Sequence, residues 1–118
     1  MPVIAFRNNQ KGQFEDMTKI WGTEKLGIRH GIATGDFDLD GDLDLVINNM
    51  NENAAIYENS FLRPRIAVVL KGLKPNTSAI GSKVYLQSSD GFNQIKEVVS
   101  GGRYLSDSED KIVFGLNK

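Results

Sequence analysis

Eleven residues from Gly35 to Leu45, Gly-Asp-Phe-Asp-Leu-Asp-Gly-Asp-Leu-Asp-Leu, place five aspartates on a strict two-residue period around one glycine. No other stretch limits the fold so tightly. Carboxylates about 6 Å apart repel by roughly 0.7 kcal/mol in water, and by several times that at the effective dielectric of a protein surface. The cluster needs either full solvation or a cation among its oxygens. Counted from Asp36 as the first ligand position, Asp38 and Asp40 fall at the third and fifth, and Gly41 at the sixth. That spacing suits an oxygen-lined Ca²⁺ loop, where alternate side chains point inward and glycine permits the sharp reversal. Asp42 is expected to offer its backbone carbonyl with its side chain turned outward. Asp44 is expected to supply a fourth carboxylate, directly or through water. Mg²⁺ fits less well, because it keeps its waters and prefers substrate phosphates to an all-protein cage.

The flanks decide what kind of loop this is. A helix-loop-helix calcium hand needs a bidentate Glu at the twelfth position, where this chain has Ile47. Leu43, Leu45 and Ile47 alternate with Asp44, Val46 and Asn48, which is strand periodicity. The reading is a Ca²⁺ loop between two strands, with a metal-free solvated hairpin as the alternative.

Composition narrows the function classes. At 118 residues the chain is one domain or two very small ones. A net charge of −1, with scattered Lys and Arg, gives no nucleic-acid groove and no polybasic membrane patch. No apolar stretch approaches the roughly 18 residues of a membrane span. The absence of cysteine removes disulfides, thiolate zinc sites and a thiol nucleophile. Twelve glycines exceed the average share of about 7%. With punctuated β-branched runs they point to an all-β chain rich in turns.

Strands are expected over 3–8, 13–20, 31–36, 43–48 and 54–59, then over 65–70, 82–88, 93–100 and 111–116. A helical turn is the most that 21–26 would hold. Ser89-Asp90-Gly91 reads as a hairpin turn, since Asp and Gly tolerate positive φ. Phe6-Arg7-Asn8 is echoed by Tyr57-Glu58-Asn59 about fifty residues on, a period that suits a β-propeller blade of four short strands. A change of texture near 61–63 divides the chain into 1–62 and 63–118.

These residues carry a resemblance. The aspartate loop, followed by Asn48-Asn49 and Ile56-Tyr57-Glu58-Asn59, resembles an FG-GAP repeat of the VCBS type. Phe6-Arg7-Asn8-Asn9 and Gly12-Gln13-Phe14 resemble the outer half of a preceding blade. Downstream, Ile80-Gly81-Ser82-Lys83-Val84, Ser100-Gly101-Gly102-Arg103-Tyr104 and Val113-Phe114-Gly115-Leu116 resemble an ASPIC/UnbV domain. The pair, in this order, is similar to the cartilage acidic protein-like bacterial family. Asn76-Thr77-Ser78-Ala79 departs from the Asn-Arg-Asp-Gly-like lead of the ASPIC/UnbV pattern. The resemblance implies partial propeller blades with a Ca²⁺ loop, then a small antiparallel β-sandwich or barrel-like domain. It implies Asp36, Asp38, Asp40 and Asp44 as ligands with the Asp42 carbonyl, in an extracytoplasmic protein (periplasmic, cell-surface or secreted). One and a half blades do not bury their own faces. The expectation is a C-terminal fragment whose free strand edges pair, including with a second copy.

Enzyme chemistry is the competing class. Five close aspartates around a turn make a cation cage rather than the two opposed carboxylates of a glycosidase. His30 is the single histidine, no Gly-x-Ser-x-Gly elbow accompanies Ser100, Ser106 or Ser108, and no catalytic residue is assigned. Gly101-Gly102-Arg103 reads as a turn more than an anion nest. Trp21, Phe14, Phe37, Tyr104 and Leu105 are expected in packing roles. The reading is a non-enzymatic, Ca²⁺-stabilised module for adhesion, through protein or glycan contact, with no nucleic acid and no membrane insertion. Its alternative is a carbohydrate-handling accessory domain of a larger extracellular enzyme.

Overall fold

The computed structural model describes residues 2–89 and 91–116, so Asp90 of the expected 89–91 turn lies outside the described residues. Nine strands and no helix are present among the described residues, as the sequence pattern predicts for an all-β chain. The strands are β1 (Phe6–Asn8), β2 (Phe14–Asp16), β3 (Arg29–Gly35), β4 (Asp44–Asn49) and β5 (Ala55–Tyr57), then β6 (Arg65–Val68), β7 (Lys83–Gln87), β8 (Asn93–Glu97) and β9 (Ile112–Gly115). They form four antiparallel sheets, in the orders β1-β2, β3-β4-β5, β6-β9 and β7-β8.

Most strands are shorter than the pattern suggests, and the second ends earliest. At Met17 the chain turns instead of extending to residue 20. Trp21 N donates to Met17 O at 2.8 Å, and Thr23 N donates to Thr18 O at 3.0 Å. Thr23 is buried because its hydroxyl donates to Val3 O, which ties this turn to the segment before β1.

Apolar burial is concentrated in the last four strands. Phe114 is fully buried with Val98 and Ile112, and Val68, Leu70, Val84 and Leu86 pack around them. Val84 and Leu86 alternate with Lys83, Tyr85 and Gln87, so the β7-β8 hairpin lays one face on the β6-β9 pair. Gln94 and Lys96 share the inner face through their register with Leu86 and Val84. Their side chains donate to Gly115 O at 2.7 Å and Val113 O at 2.6 Å, satisfying carbonyls of β9. Burial holds the Lys96 ammonium below the usual lysine range. The result is a small two-layer sandwich with no closed barrel among the described residues.

The three-stranded sheet has a different support. In β4 only Ile47 is an apolar residue buried almost completely. The edge of β3 away from β4 is covered by the segment just before β9. Ser106 Oγ accepts from Ile32 N at 2.8 Å, Ser108 Oγ accepts from Thr34 N at 3.0 Å, and Glu109 N donates to Thr34 O at 3.0 Å. This strand edge is met by the chain itself, so it is not left open for another strand. Removing both hydroxyls, as Ser106→Ala with Ser108→Ala, is expected to cost about 2 kcal/mol in urea unfolding, at roughly 1 kcal/mol per hydrogen bond. An unchanged midpoint would show that water replaces them without loss.

Candidate metal centre

The aspartate loop joins β3 to β4, which hold its ends together in register at Gly35 and Asp44. Within the loop the carboxylates fold the backbone locally. Asp40 N donates to Asp38 Oδ1 at 3.2 Å, Asp42 N to Asp40 Oδ1 at 3.0 Å, and Gly41 N to Asp36 Oδ2 at 3.1 Å. Gly41 adopts φ +94°, the left-handed conformation for which the sequence reserves a glycine. Leu39 also sits at positive φ, 63°, with its side chain exposed rather than packed.

Of the five predicted metal residues, Asp36, Asp38 and Asp40 come together. One carboxylate oxygen from each lies within 4.8 Å of the others, a span that Ca²⁺ bridges with bonds of roughly 2.3–2.6 Å. The Asp36 side chain is only 3% exposed, and its Oδ1 has no hydrogen-bond partner. An orphaned buried carboxylate oxygen is costly, so this donor set fits a hard cation.

Asp42 and Asp44 are engaged elsewhere. The Asp42 side chain is buried instead of pointing outward, and Arg65 pairs with its Oδ2. Burial pushes the Asp42 carboxyl above its ordinary range, against the pull of Arg65. Asp44 accepts Phe37 N on Oδ2 at 3.0 Å and Asn59 N on Oδ1 at 2.9 Å. It closes the loop and ties it to the end of β5.

Three residues from the last third of the chain or its middle surround the loop, and sequence reasoning missed all three. Arg65 reaches Asp40 Oδ2 at 3.1 Å as well as Asp42. Lys111 Nζ lies 2.8 Å from Asp36 Oδ2, and its hydrogen bond draws the Asp36 carboxyl below the usual carboxylate range. Glu109 Oε2 accepts Asp36 N at 3.0 Å. No local spacing links these positions to the loop, from which they are more than twenty residues distant, so no motif announces them. With Glu109 counted beside the five aspartates, two cations face six carboxylates and leave four negative charges uncompensated.

Other side chains singled out in the sequence take different places. Phe37 is exposed and lies over Gly35, where an added Cβ would stand 3.2 Å from its ring. Phe14, Trp21, Tyr104 and Leu105 are exposed instead of packed in a core. Gly101 and Gly102 both have positive φ, and Gly101 N already donates to the Asp107 carboxylate at 2.8 Å. Ser106 and Ser108 spend their oxygens on the β3 backbone, while His30 is exposed with its ring 6.3 Å from that of Tyr104.

No curated protein and no solved structure matches the chain significantly. Two family models do match, one in each half of the chain. Residues 2–47, which include β1 to β3 and the aspartate loop, match the FG-GAP-like repeat. Residues 72–118, which include β7 to β9, match the ASPIC and UnbV model. The chain is therefore an FG-GAP-like repeat of the propeller type followed by an ASPIC and UnbV domain.

Proposed function

We propose that the chain is a non-enzymatic β-module of an extracellular protein, held by Ca²⁺ at Asp36, Asp38 and Asp40 and used for protein or glycan contact. Its two units are 1–62 and 63–118. The observation that carries the reading is the nearly inaccessible Asp36 carboxylate, whose Oδ1 lacks a partner beside two further carboxylates. Bound Ca²⁺ supplies positive charge that cancels most of the remaining repulsion in the loop. The chain does the rest. Asp44 clamps the two ends of the loop, Asp38 and Asp40 fold it through backbone N–H groups, and Arg65 fixes Asp42. A loop held in this way gives the β3-β4-β5 sheet a rigid end from which neighbouring segments are presented for contact. FG-GAP repeats are typical of extracellular proteins, and no helix among the described residues is long and apolar enough to cross a membrane.

Calcium titration followed by thermal melting tests the metal. At a hundredfold excess over the dissociation constant, binding adds about 2.7 kcal/mol, which raises the melting temperature on the order of 10 °C. Asp38→Ala is expected to remove that rise. Equal melting temperatures in calcium and in chelator would overturn the proposal.

A further inference from the structure

Lys111 stands immediately before β9, seventy-five residues beyond Asp36, yet its ammonium lies 2.8 Å from Asp36 Oδ2. The lysine side chain is 17% exposed, and Glu109 Oε1 lies 3.3 Å from the same nitrogen. Asp36 is also oriented independently of it, because Gly41 N donates to the same Oδ2 at 3.1 Å. Glu109 secures the segment by accepting Asp36 N and donating to Thr34 O. A cation from the ASPIC and UnbV domain thus shares a carboxylate with the metal donors of the FG-GAP-like repeat.

We infer that Lys111 is a resident counter-cation that lowers the metal loop's affinity for Ca²⁺ and couples metal binding to the segment entering β9. The inference rests on the proposed metal site. The physical argument turns on sign. A fixed positive charge one carboxylate away repels a divalent ion twice as strongly as it repels a monovalent one. A purely orienting lysine would act the other way, since its loss would release a donor and weaken binding. Asp36 keeps Gly41 N in the absence of Lys111, so little orientation is lost and repulsion dominates. Linkage then requires the reciprocal effect: bound metal weakens the contact between Lys111 and Asp36 by the same factor.

Calorimetric Ca²⁺ titration of the full chain, as wild type, Lys111→Met, Lys111→Gln and Lys111→Arg, tests this. Lys111→Met and Lys111→Gln are expected to bind Ca²⁺ about 5- to 20-fold more tightly than wild type, the lower part of the usual range of coupling between sites. Lys111→Gln retains a hydrogen-bond donor, so it separates charge from contact and stands in if the methionine variant fails to fold. Lys111→Arg keeps the charge and is expected to stay within about twofold of wild type. Thermal melting supplies the reciprocal arm. The neutral variants are expected to melt below wild type in chelator, with the gap narrowing at saturating calcium. Wild-type binding with equal or weaker affinity in both neutral variants overturns the role of Lys111 alone. No binding by the wild type overturns the metal site and this inference together.

Discussion

Truncating Phe114 to alanine is expected to destabilise the chain by about 3–5 kcal/mol, the usual cost of deleting a buried aromatic ring. Among the described residues Phe114 is the one aromatic with no exposed surface, and it lies where the β6-β9 pair meets the β7-β8 hairpin. Val68, Leu70, Val84, Leu86, Val98 and Ile112 surround it, so the cavity would have walls from both layers. Lys96 Nζ stands 5.6 Å from the ring centre and would lose that contact as well. A domain of this size is stable by only about 5–15 kcal/mol, so the loss takes a large part of the total. Urea unfolding checks the prediction. A change below about 1 kcal/mol would mean that the two layers are not packed through this residue. Phe14→Ala, at an exposed aromatic of β2, serves as the contrast and is expected to change little.

The second large effect is expected at Asp44. Both of its carboxylate oxygens accept backbone N–H groups, from Phe37 at the start of the loop and from Asn59 beyond β5. The residue is 3% exposed, so solvent does not readily replace a missing acceptor. Asp44→Ala leaves both donors unsatisfied and is expected to cost about 3 kcal/mol in metal-free buffer. Asp44→Asn keeps one acceptor and is expected to cost roughly half as much. Measuring both variants in chelator separates this closing role from metal ligation. If Asp44 acted only as a ligand, its removal would cost nothing without calcium.

Much of the fold was legible in local pattern. Alternation in 43–48 and 82–88 appears as β4 and β7, and Gly41 adopts the positive φ that the loop spacing calls for. The pairing of β6 with β9 was not legible, because Arg65 and Gly115 meet across a large separation that no period marks. Large apolar side chains misled for a related reason. Tyr104 and Leu105 resemble core side chains by type, yet the turn closed by the bridge between Arg103 and Ser106 leaves both in solvent.

The aspartate loop divides in the same way. Its hairpin form and its reversal at Gly41 follow from spacing, which brings Asp36, Asp38 and Asp40 together but does not separate them from Asp42 and Asp44 on the same period. Tertiary structure decided how the charge is answered. Sequence reasoning weighed solvent against a metal ion, whereas the folded chain brings Arg65 and Lys111 onto three of the five carboxylates. Local spacing brings the loop's carboxylates near one another because bonded geometry is short-ranged, and the contacts of Asp42 with Arg65 and of Asp44 with Asn59 N take those two out of the cluster. Which distant cations reach them depends on how β6 and β9 pair, and that follows from burying Phe114 and Ile112 rather than from anything written in the loop.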